Sequence, residues 1–389
     1  MKLFPFILSA ISIFTASANS PFISKVFDFR PAPGQFVNEI PEIPSDATKE
    51  EVNDIVLEQI GGDKTPGMIS LGAYGGYVIF SFDHPVVNVK GEYDFKIYGN
   101  AVVSDLNSGG GNCEPGIIMV SEDINGNGLP DDPWYEIAGS EHNNPSTFKG
   151  FRITYHKPSA DHEAVPDEKN PAIADKEYIR FTTNQTGYET GYVQRNSFHA
   201  QSYWPEWLGM DTLEFEGTRL PDNGENQGKD GTEYWVLKFF EWGYADNLPN
   251  VKDPGIKIEW AVDSTGNPKH LGKVDFIKVY CAESQSCGWL GETSTEVCGA
   301  EDLHPDAVYY DGVENIRTDK EVLFVVTASR NAVCIRTSLE AAPFEIYSTS
   351  GMKVTDGMLH SGDNRIATDG LSRGIYVLRT AGRSLKFTI

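Results

Sequence analysis

Basic residues are scarce in this sequence. Its 389 residues include 32 lysines and arginines against 56 aspartates and glutamates, which gives a formal net charge of −24. A surface with this charge repels nucleic acid and anionic membranes. We therefore expect no nucleic-acid partner, and we expect a protein that tolerates or needs divalent cations.

Long hydrophobic runs are missing after the N-terminus, so no transmembrane segment is predicted. Residues 1–18 combine Lys2, a mostly apolar stretch over 3–14 and small residues before Ala18, which is typical of a secretory signal peptide. That stretch is too short to span a bilayer, and no cysteine follows the cleavage position to carry a lipid. We expect a soluble protein, exported through the inner membrane to the outer-membrane surface or the medium.

Common catalytic motifs are missing as well. The sequence has no G-x-S-x-G elbow, no H-E-x-x-H motif, no P-loop and no dinucleotide-binding glycine pattern. Acidic pairs such as Glu214 and Glu216 are expected by chance in so acidic a chain, whereas a glycosidase needs two carboxylates facing each other across a cleft. The sequence favours ligand binding over catalysis, with an extracellular glycan hydrolase as the alternative.

Cysteines are few. The five are Cys113, Cys281, Cys287, Cys298 and Cys334. Export permits disulfides, and the group in 281–298 predicts one bridge within that segment. A zinc site is the alternative, but no C-x-x-C and no matching histidine spacing supports it.

Helical patterns are rare, and strand patterns replace them. Residues 47–60 form the only good amphipathic helix, which Ser45 or Asp46 is predicted to cap and Gly61-Gly62 to end. Loops rich in Asn, Gly and Pro separate predicted strands at 25–30, 77–83, 93–98, 116–121, 134–138, 212–216, 234–242, 256–262 and 275–281. The pattern predicts an all-β protein, a large antiparallel β-sandwich or jelly roll with long loops and one short helix.

A second series of strand patterns follows residue 320. We predict a β-sandwich domain over 19–303, a linker over 304–320 and a small β-sandwich over 321–389. The second series has strands predicted at 322–327, 332–336, 344–348, 374–379 and 384–389. Its predicted core residues are Ile346, Val377, Leu385 and Phe387.

Oxygen-bearing side chains alternate in the segment DINGNGLPDD, which lies between two predicted strands. The spacing predicts a structural Ca²⁺ site with ligands from Asp123, Asn125, Asn127, Leu129 (carbonyl), Asp131 and Asp132. Trp134 stands where an EF-hand has its bidentate glutamate, so Asp132 or Glu136 would have to complete the shell. An ion-free turn stabilised by Asn and Gly is the alternative.

Two further segments combine aromatic rings with hydrogen-bonding groups, as sites for sugars or large planar ligands do. The predicted ligand-binding residues are His199, Gln201, Tyr203, Trp204 and Trp207 in the first segment, and Tyr244, Asp246 and Asn247 in the second. Ordinary core packing is the alternative for the first segment, and a simple turn is the alternative for the second.

The end of the chain resembles a known sorting signal. FEIYSTSGMKV, NRIATDGLSRGIYVLRT and the terminal RSLKFTI are similar to the C-terminal sorting domain of the Bacteroidetes type IX secretion pathway. This resemblance implies the type IX machinery as a partner, passage across the outer membrane and attachment to the cell surface.

The large domain also resembles a family. FDFRPAPGQFVNE, GGYVIFSFDHPV, EPGIIMVSEDINGNGLPDDPWYEIAGS and FHAQSYWPEW are similar to Bacteroidetes cell-surface proteins that often accompany outer-membrane uptake systems, including those for vitamin B12. The family is similar to galactose-binding-like jelly rolls. Residues 182–185 depart from it, with TTNQ in place of the expected Trp-x-Asp-Asn.

Together these patterns predict a secreted, surface-displayed, calcium-stabilised protein that binds a glycan or a cofactor such as a cobalamin. The rival functions are an extracellular glycan hydrolase and a purely structural or adhesive surface protein.

Overall fold

Antiparallel strands account for most of the regular structure. The computed structural model describes residues 19–63, 67–105, 109–307, 309, 324–329, 332–368, 370–380 and 383–389. The predicted signal peptide and most of the predicted linker lie outside these residues. No helix of the described part is long and apolar enough to cross a membrane.

The described residues before residue 303 contain one α-helix, α1 (Lys49–Ile60), and twenty strands. In chain order the strands are β1 Lys25–Arg30, β2 Ile69–Ser70, β3 Tyr77–Ser81, β4 Val86–Val87, β5 Phe95–Tyr98, β6 Val102–Asp105, β7 Gly110–Asn112, β8 Gly116–Ser121, β9 Trp134–Ile137, β10 Phe148–His156, β11 Ile173–Thr183, β12 Thr190–Asn196, β13 Thr212–Arg219, β14 Gly224–Asn226, β15 Trp235–Lys238, β16 Ala261–Val262, β17 Lys273–Val274, β18 Phe276–Cys281, β19 Glu296–Val297 and β20 Gly299–Asp302. Short 3-10 turns cover Glu206–Leu208, Ile258–Trp260 and Gly288–Leu290.

A six-stranded antiparallel sheet, in the order β1-β3-β18-β8-β9-β16, forms the centre of this region. Side chains of alternating strand positions, such as Val78, Phe80, Ile277 and Val279, pack with helix α1 in the main core. A second core lies on the inner side of the four-stranded sheet β12-β11-β10-β13, where Tyr77 of the six-stranded sheet also packs. The all-β sandwich predicted from the sequence is confirmed.

Local signals account for several boundaries. Strand β1 covers the predicted residues 25–30, and β13 buries Leu213 and Phe215 while Glu214 and Glu216 are exposed, as predicted. Helix α1 ends at Gly61 as predicted, but the predicted caps Ser45 and Asp46 are wrong. Thr48 caps it instead, because its Oγ1 accepts from the Glu51 amide (3.3 Å) while the Glu51 carboxylate accepts from the Thr48 amide (2.8 Å).

Two predicted strands are wrong in conformation or length. Residues 256–262 contain the turn Ile258–Trp260 before the short strand β16. A buried carboxylate oxygen of Asp94 accepts from the Ile258 amide (2.7 Å) and holds the chain in that turn. The strand predicted over 234–242 ends at Lys238, because the Asn247 side chain bonds both backbone groups of Phe240 at 2.7 and 2.8 Å.

The predicted disulfide is also wrong. All five cysteines are free in the structure. Cys281 lies inside β18 with its Sγ 3.6 Å from the Thr293 carbonyl oxygen, whereas Cys298 follows β19 and donates its backbone N–H to Tyr98. Cys281 is thus part of a strand, whereas Cys287 and Cys298 lie outside the strands, so nearness in sequence does not bring the thiols together.

The C-terminal region is a separate antiparallel sheet of five strands. They are β21 Phe324–Ser329, β22 Ala332–Ser348, β23 Lys353–Ala367, β24 Ile375–Thr380 and β25 Arg383–Thr388. The predicted strands 332–336 and 344–348 are two parts of β22, and β23 was not predicted. Ile346 and Phe387 are buried as predicted, whereas Val377 and Leu385 are only partly buried. On β24 it is Tyr376 and Leu378 that face the core, since alternate residues face opposite sides.

Candidate functional site

A cleft of about 320 Å³ opens where five distant parts of the chain meet. We call it the Trp289 cleft. Its main lining residues are Gln35, Glu114, Phe198, His199, Trp289 and Glu292. The cleft combines exposed rings at its mouth with buried polar groups at its base, as many small-molecule sites do.

Two aromatic rings remain exposed at the mouth. Phe198 is 67% exposed and Trp289 is 40% exposed, and their ring centroids lie 6.4 Å apart in an edge-to-face arrangement. Leaving such large apolar rings in water is costly, so a pair of them beside a cleft marks a contact surface for a ligand.

Glycines hold the Trp289 turn in place. Gly288 and Gly291 flank the turn and have positive φ angles of 56° and 88°. A side chain at Gly288 would collide with the Glu233 carboxylate, and one at Gly291 would lie 2.9 Å from the Gln35 amide oxygen. The turn therefore requires glycine at both positions.

Glu292 lies at the base of the cleft and is only 6% exposed. Its Oε1 accepts a hydrogen bond from the Gln35 amide (2.6 Å), while its Oε2 is buried without a partner among the described residues. Burial raises the pKa of Glu292 to about 8, and the neighbouring charge of Glu296 acts in the same direction. At neutral pH Glu292 is therefore mostly a neutral carboxylic acid at the base of the cleft.

A hydrogen-bond network fixes the walls. The Gln35 side chain donates to the Leu290 carbonyl (2.9 Å) and accepts from Asn196 Nδ2 (2.6 Å). Asn196 Oδ1 in turn accepts from the amides of Phe198 (3.0 Å) and His199 (2.9 Å). This network connects both sides of the mouth, so the cleft is preorganised.

Glu114 of the cleft also belongs to a cluster of three carboxylates. Oxygens of Glu114, Asp246 and Glu296 lie within 4.8 Å of one another. Burial raises the pKa of each, to about 7 for Glu296. All three already accept hydrogen bonds from the protein, including the Asn100, Ala101 and Glu296 amides on Asp246 and the Ser294 amide on Glu114. Burial therefore favours the protonated forms of these carboxyl groups, and their oxygens are committed to protein donors.

The residues predicted from sequence to bind ligand are divided by the structure. His199 lines the Trp289 cleft, and Gln201 lies behind it with its side-chain amide donating to the Gln35 carbonyl. Trp207 lies in a different groove.

The other predicted contacts are wrong, since their side chains are buried. Tyr203 is 0% and Trp204 1% exposed, because both pack in the core beside the four-stranded sheet and Trp204 Nε1 donates to the Met210 carbonyl (3.0 Å). Tyr244 is buried with its hydroxyl accepting from the Glu141 amide (2.9 Å). Asp246 and Asn247 are buried because they bond backbone groups of neighbouring segments.

The loop 123–132 gathers the predicted metal ligands at one bend. Asp123 accepts from the amides of Asn127 (3.1 Å) and Gly128 (2.9 Å). Asp131 accepts from the side-chain amides of Asn125 (3.0 Å) and Asn127 (3.0 Å), which lower its pKa. These oxygens are of the type that hard cations prefer. The same bonds also suit the ion-free turn, so both alternatives remain.

Other predicted ligands of the loop are less suited. The Leu129 carbonyl accepts from the Asp131 amide (2.9 Å), and Asp132 Oδ2 accepts from the Ile124 amide (3.0 Å). Glu136 does not complete the shell, because its carboxylate bonds His142, Lys149 and Thr218 outside the loop.

Residues 182–185, where the sequence departs from the resembled family, have a structural role. Asn184 bonds the backbone of β10, accepting from the Arg152 amide (2.9 Å) and donating to the Gly150 carbonyl (2.9 Å). The departure therefore lies at a strand end, and residues 182–185 do not line the Trp289 cleft.

Sequence reasoning missed Gln35, Glu114, Trp289 and Glu292. They are separated by up to 257 positions, as between Gln35 and Glu292, so no local spacing relates them. The one local signal was the tryptophan between two glycines in GWLG, which is typical of a constrained exposed turn. Neither a known protein family nor a curated protein matches this chain.

Proposed function

We propose that this protein is an exported binding protein whose Trp289 cleft holds a glycan. The observation that carries the proposal is the pair of exposed rings, Phe198 and Trp289, beside a buried carboxyl oxygen of Glu292 that has no partner within the described part of the chain. A sugar ring stacks on an aromatic face while its hydroxyls bond polar groups, so this cleft offers both types of contact.

The size of the cleft favours a saccharide over a cobalamin. Its volume of about 320 Å³ is at the lower end of the usual range for ligand sites. One or two sugar rings fit such a space, whereas a corrin ring with its nucleotide would rest largely outside it. A cobalamin-like ligand therefore remains the less supported choice.

Export and display are part of the same proposal and rest on the sequence. The signal-peptide pattern over 1–18 and the C-terminal resemblance to a type IX sorting domain support a place on the outer-membrane surface. There the protein would meet extracellular glycans.

Replacing Trp289 by alanine tests the cleft. We expect at least about a tenfold loss of affinity for any glycan found by array screening, because aromatic contact residues typically contribute 1.4 kcal/mol or more. Trp242→Ala is the matched control, since Trp242 is similarly exposed (37%) and packs on Trp260 away from the cleft. Binding is measured by calorimetry, and equal affinities of the three proteins would contradict the proposal.

A glycan hydrolase is the second candidate, and Glu292 favours it. A carboxylic acid with a pKa of about 8 is protonated at neutral pH and can donate a proton to a leaving sugar oxygen. The same screen separates the two functions. Hydrolysis would be indicated if shorter products are released, if Glu292→Gln abolishes this release, and if the release falls as the pH rises above about 8. Intact glycan after prolonged incubation indicates binding alone.

A Ca²⁺ ion in loop 123–132 is proposed as a structural aid to this scaffold. We expect a chelator to lower the melting temperature by about 2–4 °C, because a bound ion stabilises only the folded state. Asp123→Ala should abolish the chelator effect. Asp263→Ala is the control, because Asp263 also bonds backbone amides of an exposed turn, those of Thr265 and Asn267. An unchanged melting temperature of the unmodified protein with chelator would show that the loop needs no ion.

A further inference from the structure

A second pocket lies on the edge of the six-stranded sheet. It has a volume of about 300 Å³ and is formed by the end of β1, the start of α1 and the turn at Glu206–Leu208. Phe29, Val52, Trp207 and Met210 give it apolar walls, and Asp28, Arg30 and Lys49 are its charged residues. We call it the Arg30 groove.

The charge of this groove is opposite to that of the protein. Two of its three charged residues are basic, although the chain has 32 basic against 56 acidic residues. The single acid, Asp28, is already balanced, because it pairs with Lys49 (2.8 Å) and accepts from the Tyr77 hydroxyl (2.6 Å). The charge of Arg30 therefore remains uncompensated by any acid lining the groove.

Arg30 has no carboxylate partner among the described residues. Its side chain interacts with the Tyr77 hydroxyl and donates to the thioether sulfur of Met210 (3.5 Å), which is a weak acceptor, and the guanidinium lies 5.8 Å from the ring centre of Phe215. Its Nε is buried without a partner among the described residues, and Arg30 forms no ion pair there. An unpaired guanidinium is costly in a half-buried position, since a charged donor is left unsatisfied.

Trp207, another lining residue of the groove, also carries an unpaired donor. Its indole Nε1 is buried without a partner among the described residues, while the ring stacks on Phe29 with centroids 6.4 Å apart and planes within 12°. Two lining residues of one pocket thus each carry one such N–H donor, and a group with two acceptor oxygens matches a pair of donors.

We propose that the Arg30 groove binds a small carboxylate with an apolar body. A carboxylate matches the planar fork of a guanidinium and can also accept from the indole N–H. The apolar body would contact Phe29, Val52 and the Trp207 ring. Met210, which is 40% exposed and flexible, would give up its weak contact with Arg30 and let the carboxylate reach the guanidinium.

Benzoate is the probe for this site, with benzyl alcohol as its uncharged counterpart. Binding is followed by NMR of the tryptophan indole N–H signals, and Trp207→Phe identifies the signal of Trp207. We expect benzoate to shift this signal in a saturable way, with a dissociation constant of about 1 mM, and benzyl alcohol to leave it unchanged. Arg30→Gln should bind benzoate at least about tenfold more weakly than the unmodified protein. Trp207→Phe should bind it about threefold more weakly, and because this variant has lost the Trp207 signal, its binding is followed by the signal of another tryptophan.

The matched control is Arg180→Gln, because Arg180 is an exposed arginine of β11 that does not line the groove. It should keep the affinity of the unmodified protein. The proposal is overturned if benzoate leaves the Trp207 signal unchanged, if benzyl alcohol binds equally well, or if Arg30→Gln binds normally. A shift by inorganic phosphate but not by benzoate also overturns it. If Arg30→Gln fails to fold, two measurements still test the proposal. They are the comparison of benzoate with benzyl alcohol and the affinity of Trp207→Phe for benzoate.

Discussion

Replacing Trp204 by alanine is expected to destabilise the protein by about 3–5 kcal/mol, the usual cost of removing a large buried aromatic side chain. Trp204 is 1% exposed, packs in the core beside the sheet β12-β11-β10-β13, and its indole N–H donates to the Met210 carbonyl. The substitution leaves a cavity and an unpaired carbonyl together. Urea unfolding followed by circular dichroism measures the loss.

The comparison with Trp242→Ala makes this result specific. Trp242 is 37% exposed, so its removal should cost less than about 1.5 kcal/mol. If Trp204→Ala unfolds like the unmodified protein but loses ligand binding, Trp204 belongs to a binding surface after all. Its assignment to the core would then be wrong.

Replacing Asp246 by alanine is expected to cost about 3 kcal/mol or more. Asp246 accepts backbone hydrogen bonds from Asn100 and Ala101 (2.8 Å each) and from Glu296 (3.0 Å), and it is 3% exposed. Alanine leaves three N–H groups unpaired, at roughly 1–3 kcal/mol for a buried donor. The φ angle of 52° at position 246 adds strain in the alanine variant, because this left-handed conformation suits Asp, Asn and Gly better than Ala.

Two variants separate these contributions. Asp246→Asn keeps the shape of the side chain and one acceptor oxygen, and asparagine tolerates the positive φ. This variant should therefore lose less than half as much stability as Asp246→Ala. Asp253→Ala removes a carboxylate that accepts from one backbone amide, that of Gly255 (3.0 Å), and should cost about 1 kcal/mol. An Asp246→Ala protein as stable as Asp253→Ala would refute the role of Asp246 in linking three chain segments.

Strand prediction succeeded where side chains alternate and failed where a polar residue occupies a core position. β13 alternates cleanly between Leu213 or Phe215 and exposed glutamates, so its sequence predicts it. The residues of β11 do not alternate in this way, because the polar residue Asp175 lies at a buried position. Asp175 is satisfied there by His162 (2.6 Å) and by the Val165 amide (3.1 Å), partners that the sequence does not reveal.

Site prediction failed for a related reason. Composition shows that tryptophans, tyrosines and histidines concentrate in 196–207, but it does not show which side of each residue faces water. Tyr203 and Trp204 pack beside the four-stranded sheet, whereas Phe198 is 67% exposed. The same network that orders the mouth of the cleft joins residues 35, 196 and 290, which only folding brings together.

The sequence by itself determined the all-β class, helix α1 and the alternation of strands such as β13, because these depend on neighbours within a few positions. Only the tertiary structure decided that Trp204 is core and Trp289 is surface, that the pKa of Glu292 is raised, and that Arg30 has no carboxylate partner among the described residues. Burial and pairing depend on which distant segments pack together, and the order of residues along the chain carries little information about that.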